Sequence, residues 1–258
     1  MEPHDARSTH RFSDRAADYA RCRPGYPGAA IDAMLEGLPE PTGLRAADIA
    51  AGTGLLSRAL GDRGLTVVAV EPNAAMRAAA RPHPNVTFVA GTAAATGLPA
   101  EAFDLVTVAQ AFHWFGNATA LAEFHRVLRP GGRLAILWNR RRRDDPFTLG
   151  YREALAAIDA EPPAERGRFD PAVVAADGLF AGLRTFAFGN PHPLSLELLI
   201  GLAMSTSTVP QSGAATDSLL ATLRDLHVRH QGSDGYVTMR YRTDVFLWDR
   251  VDEVPASR

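Results

Sequence analysis

Between residues 44 and 138 short apolar runs alternate with amphipathic stretches, the periodicity of βα units wound about a parallel sheet. Five runs read as strands, at 45–50, 66–71, 86–90, 103–109 and 133–138, each apolar along its length as a strand covered on both faces should be. Helices are predicted between them over 55–63, 74–81 and 118–128, and the "RPGG" of 129–132 supplies the proline and glycine pair that end the last of these. Upstream, 12–23 and 27–38 read as two helices parted by the turn "RPGYP". Downstream, 140–193 has several prolines and weak periodicity, with one helix predicted at 146–158, so it resembles an insertion. Helices near 194–207 and 216–230 then lead to "YVTMRYRTDVFLWDR" at 236–250, whose β-branched and aromatic residues predict a closing strand.

This pattern predicts one α/β domain over 1–258, a Rossmann-like, doubly wound and mostly parallel sheet. Its parts are an N-terminal lid or flank (1–43), a ligand-binding core (44–139), a cap or insertion with helices (140–235) and the closing strand (236–250). The 258 residues, 46% of them apolar, suffice for a full core. A formal net charge of -2 offers no general attraction for polyanions, so nucleic acid is not an expected partner. The single cysteine, Cys22, excludes an intrachain disulfide and a multi-cysteine metal site. The eight histidines are scattered, and no metal is expected. Neither a signal peptide nor a membrane span is evident, so the expected location is cytoplasmic, with no membrane partner, as a monomer or homodimer. All 27 basic residues are arginine, which removes a Schiff-base lysine and a phosphate-loop lysine together.

Ligands of parallel α/β sheets bind at the carboxyl ends of the strands, which draws attention to "DIAAGTGLLSRAL" at 48–60. Gly52 and Gly54 allow close backbone approach, and Glu71, ending the second strand, can accept hydrogen bonds from two ribose hydroxyls. NAD, FAD and S-adenosylmethionine all suit these features, and a tight turn without a ligand is the alternative for the glycines alone. Two details separate the cofactors. Ser57 stands where a pyrophosphate loop needs its third small residue, with Ala50 ahead of the glycines. Asp48 would be unwelcome beside a pyrophosphate but useful beside an amino-acid ammonium group.

The loop is followed by "VAVEPNAAMRAAA", "GTAAATGLP", "FDLVTVAQAFHWF" and "RVLRPGGRLAILWN", in the order and spacing of class I S-adenosylmethionine-dependent methyltransferases, which this chain resembles from about residue 12 to 139. "FSDRAADYARCRPGYP" ahead of the core resembles the small-molecule enzymes of the type 11 and trans-aconitate methyltransferase-like group. The resemblance implies a seven-stranded sheet and S-adenosylmethionine as cofactor. It places Asp48, Ala50, Gly52 and Gly54 around the methionine portion, Glu71 on the ribose, and Pro72 and Met76 beside the adenine. Thr92 and Ala93 fall at the adenine edge, where the family often has aspartate at the first position. Gln110 faces the methionine moiety, and Tyr19, Arg23 and Tyr26 match lid residues able to clamp the cofactor carboxylate. Met76, Tyr19 and Tyr26 have packing as an alternative.

Methyl transfer from a sulfonium is an in-line displacement, so alignment in a water-poor site does much of the work and only some acceptors need a base. His113, beside Trp114 and Phe115, is the candidate catalytic base, with a structural hydrogen bond as its alternative. Asn139 is the second candidate, orienting an acceptor or the methionine carboxylate, with loop capping as its alternative. The run "RRRRDD" reads as a solvated, partly self-neutralised loop. The predicted activity is methyl transfer to a small-molecule acceptor. Two alternatives are a non-methylating use of the same cofactor, such as intramolecular attack releasing methylthioadenosine, and a catalytically inactive binding protein.

Overall fold

The computed structural model describes residues 21–158, 160, 169–206 and 208–252. Seven strands form a single sheet in the order β3-β2-β1-β4-β5-β7-β6. The strands are β1 (Arg45–Ile49), β2 (Thr66–Val70), β3 (Val86–Val89), β4 (Phe103–Ala109), β5 (Leu128–Arg141), β6 (Phe180–Leu194) and β7 (Val237–Arg250). β1 to β5 pair in parallel, whereas β7 runs antiparallel to both β5 and β6. The helices are α1 (Gly28–Leu35), α2 (Leu55–Gly61), α3 (Ala74–Ala78), α4 (Ala118–Val127), α5 (Pro146–Ala156), α6 (Ala172–Ala175), α7 (Leu196–Met204) and α8 (Ala214–His230).

Both faces of the central strands are covered, which is why those strands read as unbroken apolar runs. One face buries Ile31 and Met34 of α1 and Leu56 and Leu60 of α2 against Ala46, Val67, Leu105 and Leu137. The other buries Leu121, Phe124 and Val127 of α4 against Ala47, Val106, Val108 and Ile136. A third apolar cluster joins α5, α7 and α8 to the first half of β7 through Tyr151, Leu155, Leu202, Leu223 and Met239. β7 records the change of surroundings along its own length: burial alternates at its start, where one face meets this helical cap, and becomes nearly continuous where it enters the sheet.

Two features differ from the sequence expectation. The segment 140–235 is not only cap and helices, because Phe180–Leu194 is a 15-residue strand. Gly182, Gly189, Pro191 and Pro193 argue against a strand there, and they are tolerated because β6 lies at the sheet edge, where a missing proline N–H breaks no second ladder. "RPGG" does not simply stop α4. It lies within β5 as an irregularity, with Leu128 opposite Phe103, then Arg133 opposite Leu105, and Gly131 at φ 72°. Among the described residues no helix is long and apolar enough to cross a membrane.

Candidate active site

The parallel register aligns the strand ends. Ile49 lies opposite Val70 and Val108, Val70 opposite Val89, and Val108 opposite Ile136, so the loops after β1, β2, β3, β4 and β5 leave one carboxyl edge. Ala50, Gly52, Gly54, Glu71, Thr92, Gln110 and His113 all follow these strand ends, and Asn139 lies in the last residues of β5 beyond the end of β4.

The loop after β1 is built from left-handed turns. Ala50 has φ 54°, Gly52 φ 58° and Gly54 φ 75°. A Cβ on Gly54 would meet the Phe88 ring at 2.7 Å, so this position needs glycine for space as well as for its dihedral. Ala50 has no such exemption, and it is held in a conformation that is unfavourable for an L-residue by roughly 1–2 kcal/mol. Below the loop, Glu71 accepts the Gly52 N–H on one carboxylate oxygen and the Asn73 N–H on the other, both at 2.9 Å. Burial raises its pKa, and the two backbone donors oppose that rise. Asn73 in turn caps α3, accepting from the N–H groups of Ala75 and Met76.

Asp48 points into the protein. It is 1% exposed, and its two oxygens accept from the hydroxyls of Ser57 at 2.5 Å and Thr107 at 2.8 Å. The expectation that it meets an ammonium group is corrected on this geometry, because the carboxylate is a buried tie between β1, α2 and β4. Burial is the main reason that its pKa rises to about 6, with the two hydroxyl bonds opposing.

The rest of the expected cofactor set is distributed as follows. Pro72 accepts from Arg77 through its carbonyl, and Met76 is buried. Thr92 and Ala95 bond reciprocally through their backbones, the Thr92 hydroxyl also accepts the Ala95 N–H, and Ala93 is buried beside this turn. Sequence reading missed the support of this turn. Glu123 of α4 accepts from the N–H and hydroxyl of Thr96, and its ion pair with Arg126 holds its pKa near about 2. Gln110, at φ 59°, donates through its side chain to the Asn139 carbonyl. Tyr26 packs against the α1 and α2 face, Arg23 donates to Ser205 at the end of α7, and Tyr19 lies outside the described residues.

The two candidate catalytic residues differ sharply. Asn139 accepts from Thr243 and Asn190 on its oxygen and donates from its nitrogen to the Gly25 carbonyl, so its side chain orients protein and not acceptor. His113 sits in a short 3-10 turn, Phe112–Trp114, with ring centroids 4.5 Å from Trp114 and 5.3 Å from Trp138. His113 is an exposed residue, yet burial of part of its imidazole lowers its pKa to about 4, so the ring is neutral at pH 7. Phe169 extends the aromatic wall through edge contacts with Phe112 and Phe246. Among the described residues no cluster of three or more metal-ligating side chains occurs.

Two arginines of the run are ion-paired, Arg142 with Asp144 and Arg140 with Asp244, while Arg141 is buried in β5 over the Tyr151 and Tyr241 rings. From β7, Arg240 meets Asp145 and Arg242 meets Asp244.

Comparison with known proteins gives a consistent match. A family model described as a methyltransferase domain matches residues 47–136. The chain is 30% identical over 201 residues to an uncharacterized methyltransferase of Schizosaccharomyces pombe, covering 77% of this chain and 79% of that protein. An uncharacterized methyltransferase of Mycobacterium tuberculosis is 41% identical over 159 residues, 60% of this chain, and the match spans 62% of that relative's length. Among solved structures, a protein assigned as a type II methyltransferase from Anaeromyxobacter dehalogenans superposes with a TM-score of 0.65 at 25% identity, covering 88% of this chain and 97% of the other.

Two predictions follow from the loop and its buried anchor. Ala50→Gly releases the left-handed strain and should raise stability to urea by about 0.5–1 kcal/mol, whereas the β-branched Ala50→Val should lower it by roughly 2 kcal/mol. Equal effects of the two would show that the dihedral is not strained. For Asp48, a folded pKa of about 6 against a model value of 3.8 means that the native state binds the proton more tightly than the unfolded chain. Its contribution is then fully favourable below pH 4 and is lost as pH rises to 6, by roughly 3 kcal/mol. Asp48→Asn should accordingly gain stability relative to the parent protein between pH 4 and 7. A difference that is constant across that range in urea titrations would contradict the assignment.

Proposed function

The chain belongs to the class I S-adenosylmethionine-dependent methyltransferases, and on that footing we propose that it methylates a small-molecule acceptor at the carboxyl edge of β1, β2, β4 and β5. The observation carrying this reading is Glu71, fixed by two backbone N–H groups directly beneath a loop of left-handed turns. Each of its oxygens retains acceptor capacity for a ribose hydroxyl. Gly52 and Gly54 present backbone without side chains, and no lysine is available for a phosphate. These residues fit a nucleoside carrying an amino acid better than a dinucleotide. S-adenosylmethionine, when bound, supplies a sulfonium-activated methyl group.

Glu71 would hold the ribose, Pro72, Met76, Thr92 and Ala93 would border the adenine, and Gln110 would lie toward the methionine portion. His113 and Trp114, which follow β4, and Trp138 of β5 form an aromatic boundary that would exclude water and attract a sulfonium through the ring faces. A neutral imidazole with a pKa near about 4 is a weak base, so His113 acts chiefly by orienting an acceptor that is already nucleophilic. Alignment is the larger contribution to rate.

A product assay tests this proposal. The protein is incubated with S-adenosylmethionine alone and then with a panel of small acceptors, followed by mass spectrometry. S-adenosylhomocysteine is expected only when an acceptor is present. Methylthioadenosine from the cofactor alone would identify the self-reacting alternative, and the absence of any melting shift with S-adenosylhomocysteine would remove the cofactor reading. In the same assay His113→Ala should lower turnover at least tenfold with cofactor affinity nearly unchanged, and the reverse pattern would make His113 a cofactor-binding or packing residue.

A further inference from the structure

We propose that Asn139 and Asn190 form a two-amide latch that seats the backbone of residues 22–26 beside the carboxyl ends of β4 and β5, and so retains the nucleoside cofactor. The inference rests on the cofactor reading above. Its core is the Gly25 carbonyl, which accepts from Asn139 Nδ2 at 3.0 Å and from Asn190 Nδ2 at 2.9 Å. A carbonyl cannot donate, so both side chains must present nitrogen to it, and this fixes both amide orientations. The Asn139 oxygen then faces inward, where it accepts from Asn190 Nδ2 at 3.1 Å and from the fully buried Thr243 hydroxyl at 2.5 Å.

The latch joins segments far apart in sequence. Asn139 lies near the end of β5 opposite Thr243 of β7, while Asn190 comes from the edge strand β6. Gln110 donates to the backbone carbonyl of the same Asn139, so the turn that leads from β4 to His113 shares a residue with the latch. The neighbouring turns of the strap are held from the same side: His192 of β6 bonds the Cys22 carbonyl at 3.0 Å, and Arg23 bonds Ser205. A side chain on Gly201 of α7 would run into Cys22 Sγ, so this helix also needs its glycine for the strap to seat. β1 and its glycine loop lie next to β4 in the sheet. A strap anchored at the ends of β4 and β5 is thus placed to shield a ligand on that loop from water. Asn139 and Asn190 are positioning residues in this arrangement, because their amides are engaged on the Gly25 carbonyl, on each other and on Thr243.

Asn190 offers the cleaner test because it is partly exposed on an edge strand. Asn190→Ala removes two of the latch bonds, while Asn190→Asp places a carboxylate against two oxygens that can only accept. Affinity for S-adenosylhomocysteine is measured by calorimetry, and limited trypsin digestion at Arg21, mapped by mass spectrometry, reads seating of the strap without any turnover. In the parent protein S-adenosylhomocysteine should slow cleavage at Arg21. Asn190→Ala should weaken its binding about five- to tenfold and lose most of that protection, and Asn190→Asp should do more of both, with the melting temperature of the ligand-free protein nearly unchanged. Parent-like affinity and cleavage in both variants would overturn the latch alone. A parent protein that does not bind S-adenosylhomocysteine would overturn the cofactor reading, and the latch with it.

Discussion

A buried carboxylate organises the cofactor loop. Asp48 sits at the end of β1 with one oxygen on Ser57 of α2 and the other on Thr107 of β4. A charge with almost no access to water is tolerable only if its acceptor sites are filled, so the two hydroxyls must stay where they are. That requirement fixes the start of α2 relative to two adjacent strands. The chain between Asp48 and Ser57 has to reverse within a few residues, and it does so through left-handed turns at Ala50, Gly52 and Gly54. The Gly52 N–H is thereby turned toward Glu71. The loop is thus set by a carboxylate that is itself almost fully buried.

The wall after β4 follows a different logic. His113 contacts the rings of Trp114 and Trp138 and is kept neutral, and the wall continues through Phe112 and Phe169. Such surroundings suit a reaction in which positive charge is brought in and then dispersed as a methyl group leaves sulfur. Strong base catalysis is not supplied by this arrangement. The chemistry open to the site is therefore governed by which acceptor can lie in line with the donor, a question of shape and exclusion of water.

The part of the chain after β5 belongs to the same machinery. β6 and β7 extend the sheet, and their amide and hydroxyl side chains reach back to the N-terminal strap through Asn139. The helices α5, α7 and α8 form their own apolar cluster on the start of β7 and hold β6 in place. Segments from the two ends of the described chain thus meet beside the loops of the central strands.

Local pattern accounts for much of this. Apolar runs, glycine turns and capping chemistry are properties of short stretches, and they located β1 to β4, β7 and the helices α1 to α5, α7 and α8 to within a few residues, but not the short α6. The fifth strand proved longer because "RPGG" bulges within it, and β6 was hidden by glycines and prolines that only an edge position forgives. Side-chain partners across the sheet have no local signature. Nothing near Asp48 announces Thr107, nothing near Asn139 announces Asn190 and Thr243, and nothing near Arg23 announces Ser205. The sequence by itself determined the order of the βα units and the carboxyl edge that they share, because these follow from periodicity and turn stereochemistry. Only the tertiary structure decided which carboxylate is buried, which amides are occupied and that His113 is neutral, because burial and hydrogen-bond partners are set by residues that become neighbours only when the sheet closes.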